Sequence, residues 1–207
     1  MRVGDYKDAA EELTRVCRLF GVRGWCRATS GNFSLRIGPD HCLITQSGRD
    51  KQRLGHDDLM LCDLEGRAVD ERCRPSAETP LHCALYRLDP TIGAVLHTHS
   101  VTSTVLSRHS GDALALAGFE MQKALAGFAT HDSEAIVTIF ANDQDMTALA
   151  GRVTDAWQKG ELRVPGFLIG GHGLYAWGRD LAAAVRHVEG LEFLFECAWQ
   201  EILAGRT

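Results

Sequence analysis

The chain has 207 residues, of which 45% are hydrophobic and 24% charged, and its formal net charge is −5. This composition is typical of a globular protein and excludes a disordered, collagen-like or coiled-coil chain. No apolar run approaches the roughly 20 residues that cross a bilayer, and the charged N-terminal segment lacks the apolar stretch of a signal peptide. The negative net charge does not favour binding to nucleic acid or anionic membranes. We therefore expect one cytoplasmic domain spanning residues 1–207, with no nucleic-acid or membrane partner.

The seven cysteines are scattered along the chain and none of them forms a CxxC pair. This argues against a zinc ribbon or a thioredoxin-like redox pair. We expect most of them to be free thiols buried as small apolar residues.

Hydrophobic periodicity predicts five helices and seven strands that interleave along the chain. In chain order they are helix 5–20, strands 33–37, 42–45 and 59–62, helix 76–88, strand 92–96, helix 100–108, strand 135–140, helix 143–157, strands 166–169 and 174–177, and helix 180–203. The Gly38-Pro39-Asp40 turn joins the first two strands into an antiparallel hairpin. The prediction is one α/β domain with a mixed sheet covered by helices.

Two histidines mark the end of the fourth predicted strand, in the segment Val95-Leu96-His97-Thr98-His99. Side chains two apart on a strand point to the same face, so both imidazoles can approach one ion. A bare HxH pair is also common on exposed strand ends, and the spacing alone leaves both interpretations open.

A glycine-flanked histidine follows another apolar strand, in Gly170-Gly171-His172-Gly173. Glycines permit a tight turn that directs one side chain into a cleft. Three histidines with an open fourth position would describe a catalytic metal site. We expect the other six histidines to lie at the surface or in local hydrogen bonds.

Three short loops rich in small residues offer hydrogen-bond donors: 29–32, 45–48 and 75–77. Glycine and serine turns with free backbone N–H groups, and the start of a helix, are suited to binding a phosphate. Each of these loops is also an ordinary turn when taken alone.

Taken together, these motifs resemble the class II aldolase/adducin family: SGN, SG, a Ser-x-Glu segment, HxH and GHG, in family order over nearly the whole chain. Segments 118–125, 140–145 and 171–178 are similar to one branch, the dehydratases of methionine salvage that act on 5-methylthioribulose 1-phosphate. The resemblance implies a three-layer α/β/α fold with a mixed, largely antiparallel sheet. It also implies one zinc ion per subunit and a homotetramer.

The same resemblance implies roles for particular residues. His97, His99 and His172 would bind zinc, and Glu120 would be the principal acid/base, with Glu78 of the Ser-x-Glu segment as the secondary candidate or a simple helix cap. The sugar phosphate would be held by Gly31, Asn32, Ser47, Gly48 and Ser76. The implied reaction is loss of water from 5-methylthioribulose 1-phosphate.

Two other functions stay open from the sequence. The same site could serve a sugar-phosphate aldolase or epimerase, in whose relatives a glutamate of the Ser-x-Glu segment is the acid/base. A non-catalytic, adducin-like interaction module would use the same fold, but it has no need of the three histidines and Glu120.

Overall fold

The computed structural model describes residues 1–205. The helices within them are α1 (Lys7–Val22), α2 (Thr79–Leu88), α3 (Val101–His109), α4 (Met146–Gln158) and α5 (Leu181–Leu203). The strands are β1 (Asn32–Ile37), β2 (His41–Thr45), β3 (Leu59–Asp63), β4 (Ala94–Thr98), β5 (Ala113–Leu116), β6 (Ala135–Phe140), β7 (Gly166–Ile169) and β8 (Gly173–Gly178). Short 3-10 helices occupy Val3–Tyr6, His56–Asp58 and Glu120–Ala124.

The strands form one eight-stranded sheet in the order β3-β2-β1-β4-β8-β7-β6-β5. Only β6 and β7, among the described strands, pair in parallel. The β1–β2 hairpin is antiparallel, with Ser34 opposite Ile44, as the turn between the strands predicted. This order puts β4, which carries the HxH pair, near the middle of the sheet between β1 and β8.

Helices cover both faces of the sheet because successive strand residues alternate between two hydrophobic clusters. Leu43 belongs to the cluster that also contains Leu13 of α1 and Leu191 of α5. Its neighbour Ile44 belongs to the other cluster, with residues of α2 and α4. The predicted three-layer α/β/α fold with a mixed, largely antiparallel sheet is confirmed.

Several element boundaries differ from the sequence prediction. Helix α2 begins at Thr79, not Ser76, with Pro80 in its first turn. Ser76 instead stays in the preceding loop, where its hydroxyl accepts the Glu78 N–H at 3.3 Å. Helix α4 is capped by Asp145 rather than by Asn142 or Asp143. Strand β5 was missed because it is a four-residue edge strand with only alternate residues buried.

In the described part of the chain, no helix combines the length and apolarity needed to cross a membrane. All seven cysteines are free thiols, and five of them are buried, as the scattered sequence pattern predicted.

Candidate metal centre and active site

His97 lies within β4, where it pairs with Asn32 on one side and Tyr175 on the other. Its Nδ1 lies 2.8 Å from the carbonyl oxygen of Leu174. Because a carbonyl oxygen only accepts, Nδ1 must carry the proton, which leaves the Nε2 lone pair free for a ligand. The ring is fully buried and stacks on Tyr175 at 4.0 Å between centroids. The imidazole is therefore fixed in one orientation and one tautomer.

His172 reaches the same point from the turn between β7 and β8. The turn closes tightly against the end of β4, because a Cβ on Gly173 would lie 2.0 Å from the carbonyl oxygen of Thr98. Only glycine allows that approach. As a result, His172 Nε2 lies 3.4 Å from His97 Nε2.

The imidazoles of His97, His99 and His172 and the carboxylate of Glu78 form one cluster, with ligand atoms all within 4.8 Å of one another. Two nitrogens bound tetrahedrally to one zinc ion at about 2.0–2.1 Å would lie roughly 3.4 Å apart, which matches the separation of His97 and His172. His99 Nε2 is buried without a hydrogen-bond partner in residues 1–205. This donor set fits a divalent ion, and the cluster can bind a metal.

Burial keeps the imidazole of His99 in the form that binds metal. Burial, with added repulsion from His97 and His172, lowers the pKa of His99 to about 3. The ring is therefore neutral at physiological pH, with a lone pair available.

Glu78 stands just before α2 and presents its two oxygens to different partners. Oε1 lies 2.9 Å from His172 Nε2 and 3.2 Å from His97 Nε2. Oε2 accepts a hydrogen bond from the amide Nδ2 of Asn32. Burial opposes ionisation of this group, but the two imidazoles outweigh it and hold the pKa of Glu78 below its ordinary value. The Glu78 carboxyl group is therefore an anion beside the three clustered imidazoles.

A cavity of about 220 Å³ opens beside this cluster, and Glu78 and His99 form part of its wall. The five residues predicted to hold a phosphate all line it: Gly31, Asn32, Ser47, Gly48 and Ser76. Gly31 has a φ of +77°, and a Cβ there would meet the His97 carbonyl oxygen at 2.8 Å. The loop can therefore pass close behind the histidine strand only with glycine at this position. A larger cavity of about 630 Å³ lies near Lys7 and Arg72, but no member of the cluster lines it.

Lys51 also lines the smaller cavity, and the sequence analysis did not single it out. The side chain is buried, 1% exposed, and Nζ donates to the carbonyl oxygens of Thr29 at 3.0 Å and Arg49 at 2.8 Å. One of its three N–H groups has no partner among the described residues and is free for a ligand. Burial lowers the pKa of Lys51. The only sequence signal is a lysine four residues after Ser47, in a charged loop typical of a surface turn.

A family model described as "Class II Aldolase and Adducin N-terminal domain" matches residues 11–199 of this chain. The chain belongs to the class II aldolase and adducin family. Over 203 residues it is 52% identical to a methylthioribulose-1-phosphate dehydratase of Marinobacter nauticus, covering 97% of both chains. It is 53% identical to a protein of the same name from Pectobacterium atrosepticum, covering 92% of this chain and 93% of that one.

A solved structure of the family supports the fold. The L-fuculose-1-phosphate aldolase of Thermus thermophilus superposes with a TM-score of 0.76 at 25% identity, and 99% of each chain is covered. The central sheet and its helical layers are therefore those of a class II aldolase.

Glu120, which family resemblance predicts to be the principal acid/base, does not line the cavity of about 220 Å³. It begins the 3-10 helix Glu120–Ala124, and its side chain is 69% exposed. The carboxylate pairs with Lys123 and with His131 Nδ1 at 3.2 Å, and the Lys123 hydrogen bond lowers the pKa of Glu120. It is not one of the four residues whose ligand atoms cluster together, which are Glu78, His97, His99 and His172. Its catalytic role stays a prediction.

Proposed function

We propose that this protein is a zinc-dependent hydro-lyase that converts 5-methylthioribulose 1-phosphate to 2,3-diketo-5-methylthiopentyl 1-phosphate and water. The observation that carries the proposal is the cluster of three imidazoles and Glu78 on the wall of a cavity lined by donor-rich loops. The identity of the substrate is inferred from the methylthioribulose-1-phosphate dehydratases, which are about half identical to this chain over nearly its full length. The reaction would serve methionine salvage in the cytoplasm, catalysed by a homotetramer.

His97, His99 and His172 would hold the zinc ion, one per subunit. The bound ion would supply Lewis-acid stabilisation of the negative charge that develops on the substrate's C2 carbonyl oxygen. His97 contributes a fully buried ring, and His99 contributes a ring that burial holds neutral. The Leu174 carbonyl oxygen and stacking on Tyr175 hold the His97 ring in place before substrate arrives.

The chain's carboxyl groups would move the protons. The hydrogen on C3 lies next to the carbonyl carbon and leaves as a proton, while the hydroxyl on C4 must be protonated as it departs. We assign the principal transfer to Glu120 on family resemblance and a secondary one to Glu78. Glu120 is exposed in a single subunit. The 3-10 helix that carries it would therefore have to become enclosed in an active site when the homotetramer assembles.

The phosphate would lie in the cavity of about 220 Å³. Backbone N–H groups at Gly31 and Gly48 and the hydroxyls of Ser47 and Ser76 would donate to it, as would the Asn32 amide. Lys51 would supply the positive charge that these neutral donors lack. The ammonium is already desolvated and held by two carbonyl oxygens, so little further ordering is needed on binding.

The position of Glu78 favours a second candidate, a sugar-phosphate aldolase of the same family. In those enzymes a glutamate of the Ser-x-Glu segment is the acid/base, and here Glu78 faces the imidazoles. The two reactions differ in the bond broken, C4–O for the dehydratase and C3–C4 for the aldolase.

Mass detection of the products separates these functions. The zinc-loaded protein is incubated with 5-methylthioribulose 1-phosphate, with the His97→Ala, His99→Ala double variant as control. The dehydratase yields a diketone phosphate lighter than the substrate by one water. The aldolase would instead yield a three-carbon ketose phosphate and a methylthio aldehyde. No turnover by metal-loaded protein on this or other sugar phosphates would favour the non-catalytic interaction module.

A further inference from the structure

A chain of buried polar side chains starts at Asn32 on the cavity wall and continues behind Glu78. Glu78 accepts from Asn32, and Asn32 Oδ1 is hydrogen-bonded to His82 Nε2. His82 Nδ1 lies 2.8 Å from the hydroxyl of Ser34, which lies 2.8 Å from the hydroxyl of Tyr86. We call Asn32, Ser34, His82 and Tyr86 the buried polar chain. Each of the four is at most 3% exposed, so water cannot replace any link.

The spacing of these residues explains how the network forms. Glu78, His82 and Tyr86 are four residues apart and lie along one side of α2 and its first turn. Asn32 and Ser34 are two apart on β1 and point to one face of the sheet. The polar chain therefore connects α2 to β1 at the point where α2 begins and Glu78 enters the site.

The hydrogen bonds of the buried polar chain have only one consistent direction. A carboxylate only accepts, so Asn32 must turn its NH₂ group to Glu78 and its oxygen to His82. His82 must then donate from Nε2, and since a neutral imidazole has one N–H, its Nδ1 must accept from the Ser34 hydroxyl. The Ser34 oxygen is then free to accept from Tyr86. Every donor points towards Glu78.

The direction is stable because His82 is held neutral. Complete burial, with the neighbouring His97, lowers the pKa of His82 to about 3. The other tautomer would turn the Asn32 oxygen towards Glu78 and place two acceptors face to face in a dry interior. An unmade buried hydrogen bond of this kind is costly.

We propose that His82 is a positioning residue: through the Asn32 amide, the buried polar chain holds Oε2 of Glu78 and so turns Oε1 towards the imidazoles of the site. The inference deepens the proposed function, because it rests on Glu78 taking part in turnover. The order of the hydrogen bonds does not depend on which reaction is catalysed.

The first test reads the tautomer directly, by ¹⁵N NMR of the histidine-labelled, zinc-loaded protein. We expect His82 to carry its proton on Nε2 and to stay neutral between about pH 5.5 and 8.5. Ser34→Ala removes the donor to Nδ1 but leaves Asn32 Oδ1 to accept from Nε2, so the tautomer should be retained. A proton on Nδ1 in the unsubstituted protein, or its transfer to Nδ1 in Ser34→Ala, would overturn the proposal.

The second test compares two substitutions of His82. His82→Gln keeps one acceptor and one donor, whereas His82→Phe keeps the volume and removes both. We expect His82→Phe to lower kcat by about tenfold or more, within about threefold of the loss in Glu78→Gln, with zinc content and KM close to normal. His82→Gln should recover most of the lost kcat, which a purely structural role would not predict. If His82→Phe fails to fold, His82→Leu replaces it, since the smaller apolar side chain also removes both the donor and the acceptor.

A double-mutant cycle completes the test. If His82 acts through Glu78, adding His82→Phe to Glu78→Gln should cost little more than Glu78→Gln alone. Fully additive losses, or normal kcat in His82→Phe, contradict the proposal. Failure of the proposed function looks different, because the unsubstituted enzyme would then form no diketone. In that case the tautomer measurement still decides the hydrogen-bond order.

Discussion

Glu78 and Glu120 are the two carboxylates that family resemblance connects to proton transfer, and their surroundings are opposite. Glu78 is fixed between the Asn32 amide and two imidazoles beside a cavity. Glu120 is mostly exposed on a 3-10 turn and pairs with Lys123 and His131. Both have pKa values below the ordinary range, Glu78 despite burial and Glu120 mainly through Lys123. A lowered pKa therefore does not by itself identify the catalytic group.

The two carboxylates differ in how firmly each is held in position within one chain. Glu78 is preorganised within one chain, because the sheet and α2 hold every group around it. Surface ion pairs such as those of Glu120 are worth little in water, so its turn can change partners when substrate or another subunit covers it. A general acid has to be enclosed to be effective, and of these two carboxylates only Glu78 is enclosed by described residues.

Removing two of the three imidazoles clustered with Glu78 should have the largest effect on this comparison. The His97→Ala, His99→Ala double variant should lose both bound metal and turnover while it stays folded, because a chain of this size has its own core. Elemental analysis and thermal unfolding check this result. His56→Ala, at an exposed histidine paired with Glu11, is the matched control and should keep its metal. Full metal occupancy in the double variant would refute the assignment of the site.

The two carboxylates are compared directly by Glu→Gln changes, which keep the shape and remove the proton-carrying group. We expect Glu120→Gln to lower turnover by about 10²–10⁴-fold with zinc retained, and Glu78→Gln to cost less. Steady-state rates and metal content measured in parallel check this. If Glu78→Gln is inactive and Glu120→Gln is nearly normal, the aldolase-like assignment is the better one.

The cavity beside Glu78 gives a third, smaller effect. Ser47→Ala or Ser76→Ala should weaken phosphate binding by about 1–3 kcal/mol, the usual range for hydrogen bonds to a charged group. Lys51→Met should weaken it by a comparable amount, and Gly48→Asp should be far worse because it adds a like charge. The KM for the phosphorylated sugar is the measurement, with zinc content unchanged. An unchanged KM in both serine variants would place the phosphate elsewhere.

A third carboxyl, Glu192, is buried as Glu78 is but forms no ion pair with any described residue. Thr98 donates to its Oε1 at 2.7 Å, and burial raises the pKa of Glu192 to about 7. The pKa of Glu192 is higher in the folded than in the unfolded state. Its contribution to the free energy of unfolding is therefore most favourable below about pH 4.5 and is lost as the pH rises through about 7. Glu192→Gln should therefore stabilise the fold by about 1–3 kcal/mol at pH 8 and by nothing near pH 4.

Urea unfolding at several pH values measures this effect. Glu201→Gln, at an exposed position on the same helix, is the control and should leave the pH dependence unchanged. Equal stability of Glu192→Gln and the unsubstituted protein at pH 8 would contradict the predicted cost of burying this charge.

Much of the fold could be predicted because it follows from local patterns. Short apolar runs, alternating with polar residues in β1, predicted seven of the eight strands, and β6 and β7 have the predicted bounds. The starts of α2 and α4 were placed too early, because several residues before each helix can act as caps and only the final fold selects one. Strand β5 carries too few buried residues to give a periodic signal.

For the candidate site, the residues that sequence could identify are those in short motifs, such as HxH and the glycine-flanked His172. Lys51 and His82 were missed because a charged or polar residue is normally exposed, and nothing local indicates that it is buried. Both are buried because a distant segment closes over each of them: the loop at Thr29 over Lys51, and β1 over His82.

The amino-acid sequence by itself determined the alternation of strands and helices, the sheet-and-helix fold class and the motifs of the family, since these depend on spacing within one segment. The tertiary structure alone decided that His97, His99, His172 and Glu78 come from three separate segments to one point, and that Glu120 does not join them within the chain. The physical reason is that the positions of β4, β8 and α2 depend on packing across the whole sheet. Protonation, burial and hydrogen-bond direction at the site follow from that packing and have no local sequence signal.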